Sequence, residues 1–174
     1  MSDEVTIATP SQTVGPFFHF GLPPRPMDRT LATGDVEPIS VLFRITDGEG
    51  QPVTDALVEL WQRQGPAALF GRLATGEDGT CEFETVRSTS RSDASGQQHA
   101  FHVNVCLLAR GLLRQIHTRV YFAGDPALTQ DPVYAMVPEN RRSTLLAHPD
   151  PGRPGRWVFH VRLQGDNETV FFDV

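Results

Sequence analysis

The chain has 174 residues, of which 39% are hydrophobic and 11 are phenylalanine, and its 15 basic side chains stand against 21 acidic ones for a formal net charge of -6. That length gives one domain with a real core and no comfortable second one, and the composition excludes a largely disordered chain. An acidic balance gives no general support to phosphate-backbone binding, no run is long enough to span a membrane, and residues 1–4 (MSDE) lack the basic and apolar parts of a secretory signal, so the expectation is a soluble cytoplasmic protein with no nucleic-acid or membrane partner.

In chain order, residues 9–22 (TPSQTVGPFFHFGL) come first and carry Phe17, Phe18 and Phe20. Three aromatic rings demand cover, so this arm is expected to pack on something. Gly21, Pro23, Pro24, Pro26, Gly34 and Pro38 then punctuate an extended passage, which divides the chain into an N-terminal arm and linker over 1–38 and a β domain over 39–174. Residues 39–45 (ISVLFRI) read as the first strand and are ended by the reversal at 47–50 (DGEG). Residues 56–62 (ALVELWQ) read as the second, with Leu57, Glu59 and Trp61 on one face and Val58 and Leu60 on the other, closed by Gly65-Pro66. After the turn at 77–79 (EDG), Cys81, Phe83 and Thr85 alternate with Glu82 and Glu84, and residues 87–98 (RSTSRSDASGQQ), lacking any apolar period, read as a loop.

The pattern returns over 101–108 (FHVNVCLL), with Phe101, Val103, Val105 and Leu107 on one face and His102, Asn104, Cys106 and Leu108 on the other. Residues 116–123 (IHTRVYFA) repeat it and end at Gly124-Asp125-Pro126, residues 138–145 suggest a short helical turn, and 156–163 (RWVFHVRL) with 169–174 (TVFFDV) read as a hairpin about 164–168 (QGDNE). Several short strands with recurrent turns and no long amphipathic helix predict an all-β fold, an antiparallel β-sandwich with an extended N-terminal arm and long loops.

Chemistry-bearing residues are sparse. Cys81 and Cys106 are too far apart for a CxxC motif and read as unpaired thiols. His102, His117 and His160 fall on three strands that could converge, yet a lone strand histidine is more often a hydrogen-bonded wall residue. Asn104 shares the face of His102, and an amide competes poorly for a transition metal, so a metal site looks absent or unfinished. There is no GxSxG elbow and no GxGxxG loop. Arg110, directly beyond the 101–108 strand, is either a solvated strand end paired with a carboxylate or an anion-binding side chain at a cleft rim, and Arg141-Arg142 is similarly open.

The stretches TPSQTVGPFFHFGL, DALVELWQ, AFHVNVCLLARGLL with HTRVYFAGD, and RLQGDNETVFFDV together resemble the intradiol ring-cleavage dioxygenases. The resemblance implies a β-sandwich and the iron(III)-dependent cleavage of protocatechuate by O2 between its hydroxylated carbons, giving 3-carboxy-cis,cis-muconate. It also implies two kinds of chain, a catalytic beta chain that holds Fe(III) with two tyrosines and an HxH pair, and an alpha chain that does not, assembled as a higher-order alpha-beta oligomer. Here the HxH position reads His102-Val103-Asn104, the first tyrosine position holds Leu69, the second falls in 87–92 (RSTSRS), and the chain's only tyrosines, Tyr121 and Tyr134, match neither. His102 and Asn104 are therefore vestigial metal-site positions, and no catalytic, cofactor or metal residue is expected in this chain itself. The resemblance carries Thr13, Gly15, Pro16 and Arg110 over as this chain's contribution to the beta chain's substrate pocket, and favours the anion-binding reading of Arg110. Two rival expectations are an autonomous carbohydrate- or protein-binding sandwich and an iron enzyme with unfamiliar ligands.

Overall fold

The computed structural model describes residues 8–15, 22, 31, 38–87, 91–92 and 96–173. Ten strands are formed: β1 (Pro38–Thr46), β2 (Leu57–Gln64), β3 (Ala67–Ala74), β4 (Thr80–Val86), β5 (Arg91–Ser92), β6 (Gln98–His99), β7 (His102–Leu108), β8 (Ile116–Phe122), β9 (Leu146–Pro149) and β10 (Arg156–Arg162). Eight of them make one sheet in the order β3-β2-β7-β8-β9-β10-β1-β4, with β5 and β6 pairing apart. The fold is predominantly β, as the sequence suggests, but the expected purely antiparallel arrangement is corrected. β1 runs parallel to β10 and β8 parallel to β9, in a mixed, nearly closed sheet. Each parallel pair joins strands separated by a long excursion of chain, so no tight hairpin forces them antiparallel.

Strict alternation places the core. Val41, Phe43 and Ile45 of β1, Val58 and Leu60 of β2, Phe83 of β4, Val103 and Val105 of β7, Val120 and Phe122 of β8, and Phe159 and Val161 of β10 all belong to one buried cluster. Phe43 meets Phe83 and Phe159 edge to face at 5.8 and 5.7 Å between ring centroids, the geometry favoured by the ring quadrupoles. Near the gap in the sheet, buried Gln62 of β2 donates to the Val86 carbonyl at 2.9 Å and accepts from the Thr85 hydroxyl at 2.8 Å. A polar group is tolerated in that dry place because its bonds are made.

Several elements escape the sequence pattern. β3 was not foreseen, because only one of its residues is fully buried and apolar alternation is weak. Gly65, at φ 56°, and Pro66 supply the reversal that joins it to β2. β5 lies within the stretch read as loop, and β6 begins at its last residue. The turn after β10 exists, with Thr169 N–H donating to the Arg162 carbonyl at 2.9 Å. The expected terminal strand, however, leaves β10, and Phe172 bridges instead to His117 of β8. Cys81 and Cys106 are both buried and form no disulfide among the described residues, and burial, aided by the nearby Glu59, pushes the Cys106 thiol up to about 11.

A second, smaller cluster lies on the outer face of β7 and β8. Tyr121, Ala100, Val137 and Leu145 are buried there with Tyr134 and Phe172 packed against them. They are covered by a short helix α1 (Pro132–Met136) between two 3-10 turns, Pro126–Gln130 and Glu139–Leu145. Asp131 caps α1 by accepting from Tyr134 N–H at 2.9 Å, and Pro132 sits where its missing N–H costs nothing. This cover makes the two ends of β7 different environments.

Candidate functional site at the two ends of one strand

Beyond Leu108 the chain turns at Arg110-Gly111, with Gly111 at φ 88°, a region that side chains rarely adopt. Gly111 N–H donates to the Thr13 hydroxyl at 2.8 Å, a contact across 98 residues of sequence. Arm residues Gln12 and Val14 border a shallow cleft of about 130 Å³ with Leu108, Ala109, Leu112 and Leu113. Arg110 Nε donates to the Asp55 carboxylate, and the Arg110 side chain stays 72% exposed while that of Asp55 is 15% exposed. Structure thus brings Thr13 and Arg110 to one corner. Gly15 is exposed, and a Cβ built on it meets nothing within 4 Å. Nothing described in this chain therefore requires a glycine there. Pro16, Phe17, Phe18 and Phe20 lie outside the described residues.

At the other end of β7, His102 Nδ1 lies 2.9 Å from the Ala100 carbonyl oxygen. A carbonyl only accepts, so Nδ1 carries the proton and Nε2 the lone pair. Burial holds the imidazole down to about 4, with Arg119 adding to the effect and the Ala100 bond opposing it, so His102 is neutral at pH 7. Across the strand pair stands Tyr121, whose hydroxyl donates to Asp131 at 3.0 Å. The fully buried Asp131 carboxylate also accepts from Ala100 N–H at 3.1 Å and lies 3.5 Å from His99 Nδ1. Burial raises the Tyr121 phenol well above its ordinary range, so it serves as a neutral donor.

This arrangement does not fit ferric iron. Among the described residues no group of three His, Cys, Asp or Glu side chains comes together. His117 shares the outer face with His102, but His160 lies on β10 opposite Arg44, so the three strand histidines do not converge. Asn104 is exposed and faces Arg119, a cation, across the ladder. Leu69 packs against the main core, and Tyr121 is committed to Asp131 in its protonated form. Hard anionic ligands that would balance the charge of Fe(III) are missing.

No family model matches the chain. It is 38% identical to the protocatechuate 3,4-dioxygenase alpha chain of Burkholderia cepacia, over 95% of this chain and 97% of that one. The chain belongs to the protocatechuate 3,4-dioxygenase alpha-chain family. Its likeness to the beta chain of the same organism is weaker, 25% identity over 76% of this chain and 67% of that one. Among solved structures, hydroxyquinol 1,2-dioxygenase from Pseudomonas putida DLL-E4 superposes with a TM-score of 0.65 at 20% identity, covering 92% of this chain and 68% of the other. That likeness gives the fold, which this alpha-family chain shares with intradiol enzymes.

Three residues of the site went unread in the sequence. Asp55, the anchor of Arg110, precedes β2 in a turn, where an aspartate is unremarkable. Asp131 was signalled by Asp-Pro, a helix-start pair, although not by anything that foretold its link to Tyr121. Arg119 shares strand parity with His117 and Tyr121, which places all three on the outer face.

Proposed function

We propose that this chain is the iron-free alpha subunit of a protocatechuate 3,4-dioxygenase, completing the active site of a beta chain in which O2 cleaves protocatechuate to 3-carboxy-cis,cis-muconate. The observation that carries the reading is 38% identity to an alpha chain over nearly the whole of both proteins. The absent iron ligands agree with it, since Fe(III) then belongs to the beta chain alone. The active unit is an alpha-beta complex of higher order, and the isolated alpha chain is inactive.

Within that unit the arm over 1–38 packs on the partner, and the body over 39–174 forms a two-layer sandwich. A single cluster shared by the inner faces of β1, β4 and β10 and of β2, β7 and β8 supports the layered reading. Thr13, Gly15 and Pro16 wall the partner's pocket. The open space around Gly15 accords with a backbone that approaches another molecule closely. Arg110 has one nitrogen on Asp55 and its remaining donors exposed, which suits recognition of a carboxylate on the substrate. This chain contributes position and charge, while the redox chemistry stays with the partner. Two cysteines outside any disulfide agree with a cytoplasmic location.

Co-expression with a beta chain tests the proposal. The expected product is a burgundy-red complex whose intact mass contains both chains and whose iron matches the beta chains alone. A colourless monomer that does not associate with the beta chain overturns it.

A further inference from the structure

Cross-strand partners His102 and Tyr121, Asn104 and Arg119, and Cys106 and His117 project from the outer face of β7 and β8. Asn104, His117 and Arg119 line a cleft of about 430 Å³, with Val133 and Met136 of α1 and Phe172 of the C-terminal segment as apolar walls. Clefts of roughly 300 to 1,000 Å³ with apolar walls and a few polar groups are the usual form of small-molecule sites.

Charge in this cleft is unbalanced. Arg119 Nη1 is shielded from water and has no hydrogen-bond acceptor among the described residues. The acid on the rim, Asp173, is 91% exposed and lies 3.7 Å from Arg114. Buried Asp131 is already held by Ala100, Tyr134 and Tyr121. The rest of the guanidinium is not idle, since it hydrogen-bonds the Tyr121 oxygen and so pulls against the burial that raises that phenol, and its charge helps to depress His102; Nη1 alone is left over. A shielded charged donor atom without an acceptor is costly, and such an atom favours an added acceptor, which an anion supplies most strongly.

We propose that this cleft, which includes the vestigial position Asn104, binds a small aromatic monocarboxylate of the benzoate class. The carboxylate meets the Arg119 guanidinium and the Asn104 amide, and the ring lies against Val133, Met136 and Phe172. One guanidinium beside a neutral amide matches a single negative charge, and the exposed Asp173 on the rim disfavours a more highly charged anion. Apolar walls favour a ring over an inorganic anion, because the ring's burial adds to the ionic contact. The inference concerns this chain's own cleft and stands apart from the reaction proposed for the complex.

Equilibrium dialysis of labelled benzoate against the purified alpha-beta complex at pH 7 tests it, with visible absorption following any benzoate that perturbs the partner's iron. The expected result is one equivalent per alpha chain beyond the iron-linked binding. Arg119→Gln should weaken that equivalent by about tenfold or more while the absorption titration is unchanged. Met136→Asp, at a side chain 82% exposed and therefore safe for folding, should weaken it too by placing a carboxylate on the wall. Benzamide, lacking the charge, should not compete, and acetate, lacking the ring, should compete poorly. No benzoate beyond the iron-linked equivalent overturns the proposal, including the case in which a partner's carboxylate side chain already occupies Arg119; so does full binding by both variants. A colourless preparation that still binds one equivalent counts against the assembly reading alone.

Discussion

His102 opens β7 and Arg110 lies just past its end, yet the strand delivers its two ionisable side chains into opposite conditions. His102 is covered by Tyr121 and the smaller core, bonds to the backbone two residues away, and stays neutral. Arg110 is held by a single carboxylate and keeps most of its guanidinium in solvent. Desolvation makes the difference: at the covered end His102, Tyr121 and Asp131 bond within their own neighbourhood, while the exposed end has donors to spare for another molecule. The covered end of β7 thus carries a buried hydrogen-bonded network around Tyr121 and Asp131, whereas the far end leaves Arg110 and Thr13 facing solvent.

The largest test of that contrast is acidity. His102 has a folded value of about 4 against 6.5 when exposed. Between those values the unfolded chain binds a proton that the folded chain does not, so stability is fully present above pH 6.5 and is lost as pH falls toward 4. At about 1.4 kcal/mol per unit the loss is of order 3 kcal/mol. Urea denaturation at pH 7 and pH 4.5 should show it, and His102→Asn should flatten the dependence. An equally steep loss in that variant would place the acid sensitivity elsewhere.

Removal of residues 1–16 attacks the other end. β1 begins at Pro38 and the main core draws on the strands, so the denaturation midpoint of the body should hardly move. In the assembled complex the deletion removes Thr13, Gly15 and Pro16 together and frees the Gly111 N–H, and kcat/KM for protocatechuate should fall about 100-fold, the order expected when a substrate loses its positioning wall. Unchanged kinetics in a fully assembled truncated complex would remove the arm from the pocket.

How far the two ends could be read from sequence follows from the same physics. Core strands announced themselves because burial on one face writes a period of two into the chain, as in Phe101, Val103, Val105 and Leu107. β3 and β9 did not: the first has a single fully buried residue and the second is only four residues long. Parallel pairing of β1 with β10 has no local signature at all. At the site, the reading of Asn104 as a replaced HxH histidine rests on the resemblance alone, and Arg110 was legible only as two alternatives. Asp55 realises the carboxylate-paired alternative, while the 72% exposure of Arg110 leaves room for the other. The meeting of Thr13 with Gly111 depends on a contact between distant parts of the chain, which composition and period do not encode.

Arg110→Met separates those two alternatives with a smaller expected effect. Methionine keeps much of the length and removes the charge and the donors. Because the native guanidinium is already shared with Asp55, the loss in kcat/KM should sit near 1.5 kcal/mol, somewhat over tenfold. Lysine should rescue part of it, restoring charge without the planar fork. Protocatechuate should suffer more than catechol, which lacks the carboxylate. Equal losses for both would reassign Arg110 to general support of the pocket, and no loss for either would return it to a strand-end partner of Asp55.

The smallest expected effect is the most pointed about the covered end. Asn104→His restores the HxH pattern on an exposed position of β7, so the variant should fold, and if the histidine pair sufficed it would become an iron site. The pair does not suffice. Arg119 stands directly across the ladder as a fixed positive charge, Leu69 fills its place with a core contact, and the Tyr121 hydroxyl is held protonated by burial and pointed at Asp131. Two imidazoles without a phenolate do not offset the charge of Fe(III), and a neighbouring guanidinium adds repulsion. The separated variant should therefore contain no stoichiometric iron and show no tyrosinate-to-iron absorption. Appearance of that absorption would mean that Tyr121 can leave Asp131 and ionise at modest cost, and that the closed network at this end of β7 is far looser than its buried hydrogen bonds imply.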